Sequence, residues 1–156
     1  MTPQFKSRLE RIDQNVAGRM YRLGVPALRI SFGIIFFWFG VLKPLGYSAA
    51  EPLLKATVAW LPFWEPGTWL NLIGWWEMVI GVMFLFKQTT RIAIPLLFLQ
   101  MLGTFMPLVF LPDVVYQSGY SVHLPTMEGQ YIIKNLMIIS AALVVGGTFY
   151  KNGASG

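Results

Sequence analysis

The sequence has no cysteine and a single histidine, His123. Without cysteine, disulfides, iron–sulfur ligation and catalytic thiols are excluded. One imidazole cannot assemble a zinc site or a bis-histidine haem, and no metalloprotease or EF-hand spacing is present. We therefore expect neither a metal nor a covalently bound cofactor. We interpret His123 as a solvated loop residue, with a proton-transfer or redox role as the alternative.

Charged residues are also scarce, at 12% of 156 residues, whereas 55% of the residues are hydrophobic. A soluble globular domain carries about 25% charged residues. The composition excludes such a domain, and its hydrophobicity excludes a disordered chain. The net charge of +5 does not indicate nucleic acid, because lysine and arginine in a membrane protein first signal topology. The sequence predicts a protein that lies in a lipid bilayer.

Four apolar runs have the length of membrane spans. Each has 18 or 19 residues, close to the roughly 20 that cross a hydrocarbon core of about 30 Å. The runs are about 25–42, 69–86, 92–110 and 131–149. We predict an all-α, integral-membrane four-helix bundle over residues 25–150, followed by a short tail at 151–156.

Three segments outside the runs have their own patterns. In residues 1–24, apolar residues recur every three or four positions among basic ones, which predicts an amphipathic helix on the membrane surface that Gly24 and Pro26 end. Residues 48–63 remain apolar behind an early proline, so we expect a short helix flat on the outer surface. The proline- and glycine-containing connection 111–130 predicts an ordered loop or lid.

Basic residues set the expected orientation. Nine of them precede or open span one, join spans two and three, or follow span four: Lys6, Arg8, Arg11, Arg19, Arg22, Arg29, Lys87, Arg91 and Lys151. The opposite side receives Lys43, Lys55 and Lys134. The positive-inside rule therefore predicts both termini in the cytoplasm, as expected of a multi-pass protein of the bacterial cytoplasmic membrane.

Each predicted span carries a stripe of polar or small residues on one face. The stripes are Arg29, Gly33, Phe36, Gly40 and Lys43; Gly74, Glu77 and Gly81; Gln100, Gly103, Thr104 and Pro107; and Glu128, Tyr131, Lys134 and Asn135. The simplest bundle turns these stripes inward and leaves the other faces to lipid. Glycines spaced seven residues apart in spans one and two would let neighbouring helices approach closely.

Glu77 lies near the middle of span two, where an unpaired carboxylate is unstable. We expect Arg29 or Lys134 to be its partner, since each differs from it in depth by only a few residues. Lys43 and Glu128 are expected to form a second pair near the outer surface. For Asn71, Gln100, Thr104 and Asn135, interhelical contact without a ligand is an equally good interpretation.

Three segments together resemble the DoxX-like membrane proteins, particularly the YkgB-type branch: RISFGIIFFWFGVLKPLGY, GWWEMVIGVMFLF and PTMEGQYIIKNLMIISAAL. The shared features are an arginine that opens span one, Gly40-x-x-Lys43 at its close, Gly74-x-x-Glu77 in span two, the Met106-Pro107-Leu108 break, and Glu128 followed by Gly129 and Lys134. The resemblance implies a four-helix inner-membrane protein in a redox setting. Members of the family include a quinone-reducing thiosulfate oxidoreductase subunit and partners in oxidative-stress resistance.

Three functions fit these features. The first is a redox- or stress-associated subunit that positions a quinone-like ligand for a partner protein, because the chain has no electron carrier of its own. Its candidate ligand-binding residues are Arg29, Phe36, Lys43, Trp75, Trp76, Glu77, Gln100, Glu128, Lys134 and Asn135, with Phe37 completing an aromatic clamp. The alternatives are a structural or assembly subunit without a ligand, and a small proton-coupled transporter. Homo-oligomerisation is compatible with each.

Overall fold

The computed structural model describes residues 3–117, 119 and 124–153, so His123 lies outside the described residues. Within these residues the chain is helical, apart from turns and an isolated bridge between Tyr116 and Pro125. The helices are α1 (Pro3–Leu42), α2 (Glu51–Val58), α3 (Pro66–Leu85), α4 (Thr90–Phe105), α5 (Pro107–Phe110), α6 (Pro112–Val115) and α7 (Met127–Gly153).

Four helical segments are long and apolar enough to cross a membrane. They are Leu9–Leu42, Pro66–Leu85, Thr90–Phe110 and Met127–Phe149. The predicted number of spans and the all-helical class are confirmed, and the protein is a multi-pass membrane protein in contact with lipid. Each segment overlaps one of the four apolar runs.

Helix α1 continues through the position where the sequence predicted its end. It has 40 residues with Pro26 in its interior, so the boundary expected at Gly24 and Pro26 is wrong. A proline removes one helical hydrogen bond. In a membrane helix, neighbouring groups can hydrogen-bond to the backbone carbonyl that loses its partner. At 1.5 Å per residue α1 is about 60 Å long, twice the hydrocarbon thickness of about 30 Å. Its N-terminal half therefore extends beyond the length needed for one crossing.

Helices α1 and α3 form the closest pair in the bundle, and glycines make the contact. A Cβ added to Gly40 would lie 2.7 Å from the carbonyl oxygen of Gly74, and one added to Gly81 would lie 2.8 Å from that of Gly33. Gly40 thus faces Gly74, and Gly33 faces Gly81, in an antiparallel register. The predicted role of these glycines in close helix approach is confirmed.

The apolar core lies between α1, α3, α4 and α7. Its most deeply buried side chains are Ile80, Phe84, Ala93, Leu97, Ala142 and Val145. The Phe32 ring packs against that of Phe84 at a tilt of 36°, with ring centroids 4.9 Å apart. Near the start of α4, the Arg91 guanidinium lies 4.9 Å from the centre of the Phe149 ring. Since Phe149 is near the end of α7, these two helices are antiparallel.

The bundle has two chemically different ends. We call the end with Lys87, Arg91 and the N-terminal half of α1 the basic end, and the opposite end, with α2 and the start of α7, the Lys43 end. At the Lys43 end, the chain leaves α1 through a turn at Gly46, whose φ of +75° favours glycine. The short helix expected over 48–63 is α2, which covers only eight of those residues and packs against α3.

The third span breaks where Pro107 interrupts it. Because proline has no backbone N–H, α4 ends at Phe105, and α5 begins after Met106. The predicted loop at 111–130 contains α6 and the Tyr116–Pro125 bridge, and α7 begins before the loop was expected to end. Thr126 donates from its backbone N–H to the Val115 carbonyl at 2.9 Å, which ties the loop to the bundle.

Candidate functional site

Lys43, in the turn directly after α1, meets one side chain of α3 and one of α4 inside the bundle near the Lys43 end. The Nζ of Lys43 donates to Oε2 of Glu77 as an ion pair, and Nε2 of Gln100 donates to Oε1 of Glu77 at 2.9 Å. The Lys43 side chain is only 7% exposed and that of Glu77 only 12%. We call Lys43, Glu77 and Gln100 the triad. Both carboxylate oxygens of Glu77 have partners within it.

The glycine contact between α1 and α3 places Lys43 beside Glu77. Each of these residues follows a glycine of the contact by three positions, Lys43 after Gly40 and Glu77 after Gly74. In a helix every Cα–Cβ bond tilts toward the helix N-terminus. Because the helices are antiparallel, the two side chains tilt toward each other over the glycines. The Cβ of Lys43 lies 2.9 Å from where a Cβ of Gly74 would be.

The triad stabilises charges that would be costly apart. An ion removed from water loses several kcal/mol of solvation, and an ion pair recovers that loss only with good geometry and further hydrogen bonds. Gln100 supplies one such bond to Glu77, and the Phe39 carbonyl oxygen lies 3.5 Å from the Lys43 ammonium. The pair is therefore electrically neutral, and polar groups of the protein replace part of the hydrogen bonding that water would supply. It presents a cation, a carboxylate and an amide to the same small volume.

The triad also has unused hydrogen-bonding capacity. Gln100 has two amide N–H donors and one carbonyl oxygen, and within the described part of the chain its side chain makes a single hydrogen bond, the one to Glu77. One amide donor and one acceptor of Gln100 are thus available to another molecule. Thr104 does not consume them, because its hydroxyl donates to the backbone carbonyl of Gln100 at 3.0 Å.

The structure corrects the predicted partner of Glu77. Arg29 makes no ion pair with it, and the register that joins Gly33 to Gly81 places Arg29 level with Leu85, at the far end of α3. This is eight residues from Glu77, or about 12 Å along the helix axis. The Arg29 side chain also tilts toward the α1 N-terminus, away from Glu77. Lys43 takes the position that Arg29 was expected to occupy.

The polar stripe of α7 does not join the triad. Lys134 is exposed, with its ammonium 5.2 Å from the centre of the Tyr131 ring, so it is not a partner of Glu77 either. Glu128 is exposed, and Lys43 pairs with Glu77 instead, so the expected Lys43–Glu128 pair is wrong. Asn135 donates to the Tyr131 backbone carbonyl at 3.2 Å. Lys134 and Asn135 thus make contacts along their own helix.

The aromatic residues expected to clamp a ligand are divided between interior and surface. Phe36 is buried in the core, and Trp76 is partly buried against it. Trp75 is 62% exposed and Phe37 is 44% exposed. These two rings lie on the outer surface of the bundle, because adjacent helix positions point about 100° apart. Of the predicted aromatic set, Phe36 and Trp76 remain on the inner side of the bundle.

Fold and site together define a four-span helical membrane protein with a buried lysine–glutamate pair. Among the residues that the structure describes, no group of three or more histidine, aspartate or glutamate side chains is arranged to hold a metal ion. No family model, curated protein or solved structure matches the chain.

Proposed function

We propose that the protein is a DoxX-like, redox- or stress-associated membrane subunit that holds a quinone-like small molecule at the triad and presents it to a partner protein. The observation that carries the proposal is the set of polar groups that three spans direct to one buried place. Ionisable groups inside a span are costly, and they commonly mark functional sites.

The chemistry of the triad suits a quinone. Quinone carbonyl oxygens accept hydrogen bonds, and both Lys43 and Gln100 have N–H groups beyond those that they direct to Glu77. Trp76 and Phe36 supply apolar and aromatic surface on the same side of the bundle. A quinone ring has carbonyl oxygens at two edges and enters from the lipid, so it fits a site that combines N–H donors with aromatic surface. The chain positions the ligand, and the partner carries the electrons.

Replacing Gln100 with leucine should weaken quinone binding. The variant leaves the Lys43–Glu77 pair in place but removes the amide, so we expect an affinity about tenfold lower, equivalent to one hydrogen bond of about 1.4 kcal/mol. The measurement is a titration of the purified protein in detergent with ubiquinone-1, followed by quenching of tryptophan fluorescence.

The matched control is Gln88→Leu, the same change in the exposed turn between α3 and α4. It should bind ubiquinone-1 as the unmodified protein does. Quinone binding at the triad is refuted if the unmodified protein fails to bind ubiquinone-1, or if Gln100→Leu binds as tightly as Gln88→Leu.

A structural or assembly subunit without a ligand is the second candidate. It is favoured by one observation: both oxygens of Glu77 already have partners within the chain. A polar cluster of this kind can serve only to hold helices together, at about 0.6–2 kcal/mol for each contact. In that case Gln100→Leu would lower the melting temperature, and no quinone would copurify with the unmodified protein.

We further propose that the basic end faces the cytoplasm of a bacterial inner membrane, with both termini there. Nine of the twelve basic residues belong to this end, together with only two of the seven acidic ones, Glu10 and Asp13. Positively charged segments are retained on the cytoplasmic side. Contact of residues 3–24 with anionic lipid is part of this proposal and requires α1 to bend near Pro26. Residues of α2 would lie at the outer surface.

Because the chain has no cysteine, single introduced cysteines can report its orientation. In intact cells, a membrane-impermeant maleimide should label Ala56→Cys in α2 and should not label Gln88→Cys until the cells are opened. Both positions are exposed, so accessibility within the fold is matched. The reverse pattern would place the termini outside the cell.

A further inference from the structure

Arg29 has a buried polar atom with nothing to bond to. Its Nε–H is buried and has no acceptor in the described part of the chain. The guanidinium takes part in none of the hydrogen bonds or ion pairs recorded there, and its residue is half-buried. A buried donor without a partner costs about 1–3 kcal/mol, and more when the group is charged. The terminal guanidinium nitrogens also have no partner among the described residues, and they are not buried, so they can donate to an acceptor from outside the protein.

The depth of Arg29 indicates where that acceptor lies. Since Gly33 faces Gly81, Arg29 is level with Leu85, the last residue of α3. The turn that follows leads to α4 at Thr90. Arg29 therefore lies where the apolar part of the bundle ends, at the depth of the lipid headgroups.

No acidic residue of the basic end can reach Arg29. The only two are Glu10 and Asp13, and Asp13 is 16 positions earlier on the same helix, about 24 Å along its axis. Lys87 and Arg91 follow Leu85 closely in sequence and add positive charge to this region. Arg22 lies two turns from Arg29 on the same face of α1 and donates to the Gly18 carbonyl. Arg29 thus has no counterion within this end of the protein and lies among other positive charges, so it attracts an anion.

We propose that Arg29 binds the phosphate of an anionic phospholipid in the leaflet at the basic end. The planar guanidinium can donate two parallel N–H bonds to a phosphate, which makes arginine well suited to this group. A phospholipid also brings acyl chains that can cover the exposed Ile30 and Ile34 beside Arg29. A free phosphate shares the charge but not this apolar contact. The site is independent of the quinone proposal, because it lies at the other end of the bundle.

The test compares Arg29→Gln with Lys55→Gln in the full chain. Each variant loses one positive charge, but Lys55 lies in α2 at the Lys43 end, where its side chain is 43% exposed and pairs with Glu51. The proteins are placed in nanodiscs of phosphatidylcholine with or without phosphatidylglycerol, and bound lipid is counted by native mass spectrometry after mild release. The unmodified protein and Lys55→Gln should retain phosphatidylglycerol over phosphatidylcholine. Arg29→Gln should lose this preference by about tenfold.

Two further arms make the result specific. Arg29→Lys keeps the charge without the planar fork, and it should retain phosphatidylglycerol less well than the unmodified protein and better than Arg29→Gln. Inorganic phosphate added to the phosphatidylcholine samples should not raise the melting temperature, whereas phosphatidylglycerol should. Equal lipid retention by Arg29→Gln and Lys55→Gln would overturn the site. A rise with inorganic phosphate equal to that with phosphatidylglycerol would overturn the assignment to a lipid.

Discussion

Replacing Lys43 with methionine should lower the free energy of unfolding by about 3–5 kcal/mol, the cost of leaving one member of a buried ion pair without its partner. Methionine matches the length of the lysine stem, so the loss comes from the charge and not from a cavity. Glu77 would keep its bond from Gln100 but lose its counterion. The measurement is reversible unfolding of the purified protein in mixed micelles, followed by helical circular dichroism.

Lys55→Met is the matched control, because Lys55 forms the other ion pair recorded among the described residues. It pairs with Glu51 one turn away in α2, and its side chain is 43% exposed. Exposed pairs of this kind contribute about 0–1 kcal/mol. A second test combines Lys43→Met with Glu77→Gln, which removes both charges and should restore most of the lost stability. Equal losses for Lys43→Met and Lys55→Met would mean that the buried pair does not form.

The sequence predicted the face of α3 that carries the site but not the partner of Glu77. Periodicity groups Gly74, Glu77 and Gly81 because residues three or four apart share a helix face. It contains no information on the register between two helices. The distance of each residue from the ends of its apolar run favours Arg29, whereas the glycine contact sets the actual register.

A local signal could nevertheless have identified Lys43. Gly40-x-x-Lys43 and Gly74-x-x-Glu77 are the same pattern on two consecutive spans with opposite charges. When the glycines of two antiparallel helices face each other, residues three positions later are symmetrically placed and tilt toward each other. Arg29 and Glu77 tilt apart under the same rule. The direction of the Cα–Cβ bond thus distinguishes pairs that depth alone leaves equivalent.

The polar stripe of α7 shows the converse limit. Its members share a face, as their spacing predicts, but Lys134 and Tyr131 lie at the surface of the chain. The spacing of a stripe shows which residues share one face of a helix. Packing against other helices decides whether that face points into the bundle. For α7 the packed face consists instead of small and branched residues, with Ala142 and Val145 buried against the core.

Gly81→Ala should have the second large effect, because the contact that sets the register has no room for a methyl group. Its Cβ would lie 2.8 Å from the Gly33 carbonyl oxygen and 2.9 Å from the Phe37 Cα. Both are backbone atoms that cannot rotate aside, so α1 and α3 must separate. We expect a loss of about 2–3 kcal/mol, within the range for an overpacked core, in the same unfolding measurement.

Gly103→Ala provides the control, since a Cβ there would meet nothing within 4 Å. Alanine is favoured over glycine inside a helix by up to about 1 kcal/mol, so this variant should be neutral or slightly more stable. Similar losses at Gly81 and Gly103 would contradict the close approach of α1 and α3.

The two predictions are coupled because one contact positions the other. If Gly81→Ala moves α1 away from α3, Lys43 no longer reaches Glu77 with the same geometry, and part of the ion pair is already lost. Lys43→Met should then cost less in the Gly81→Ala background than alone, with a coupling energy of about 0.5–3 kcal/mol. In the Gly103→Ala background its cost should be unchanged. Additive losses with Gly81→Ala would show that Lys43 and Glu77 meet independently of the glycine register.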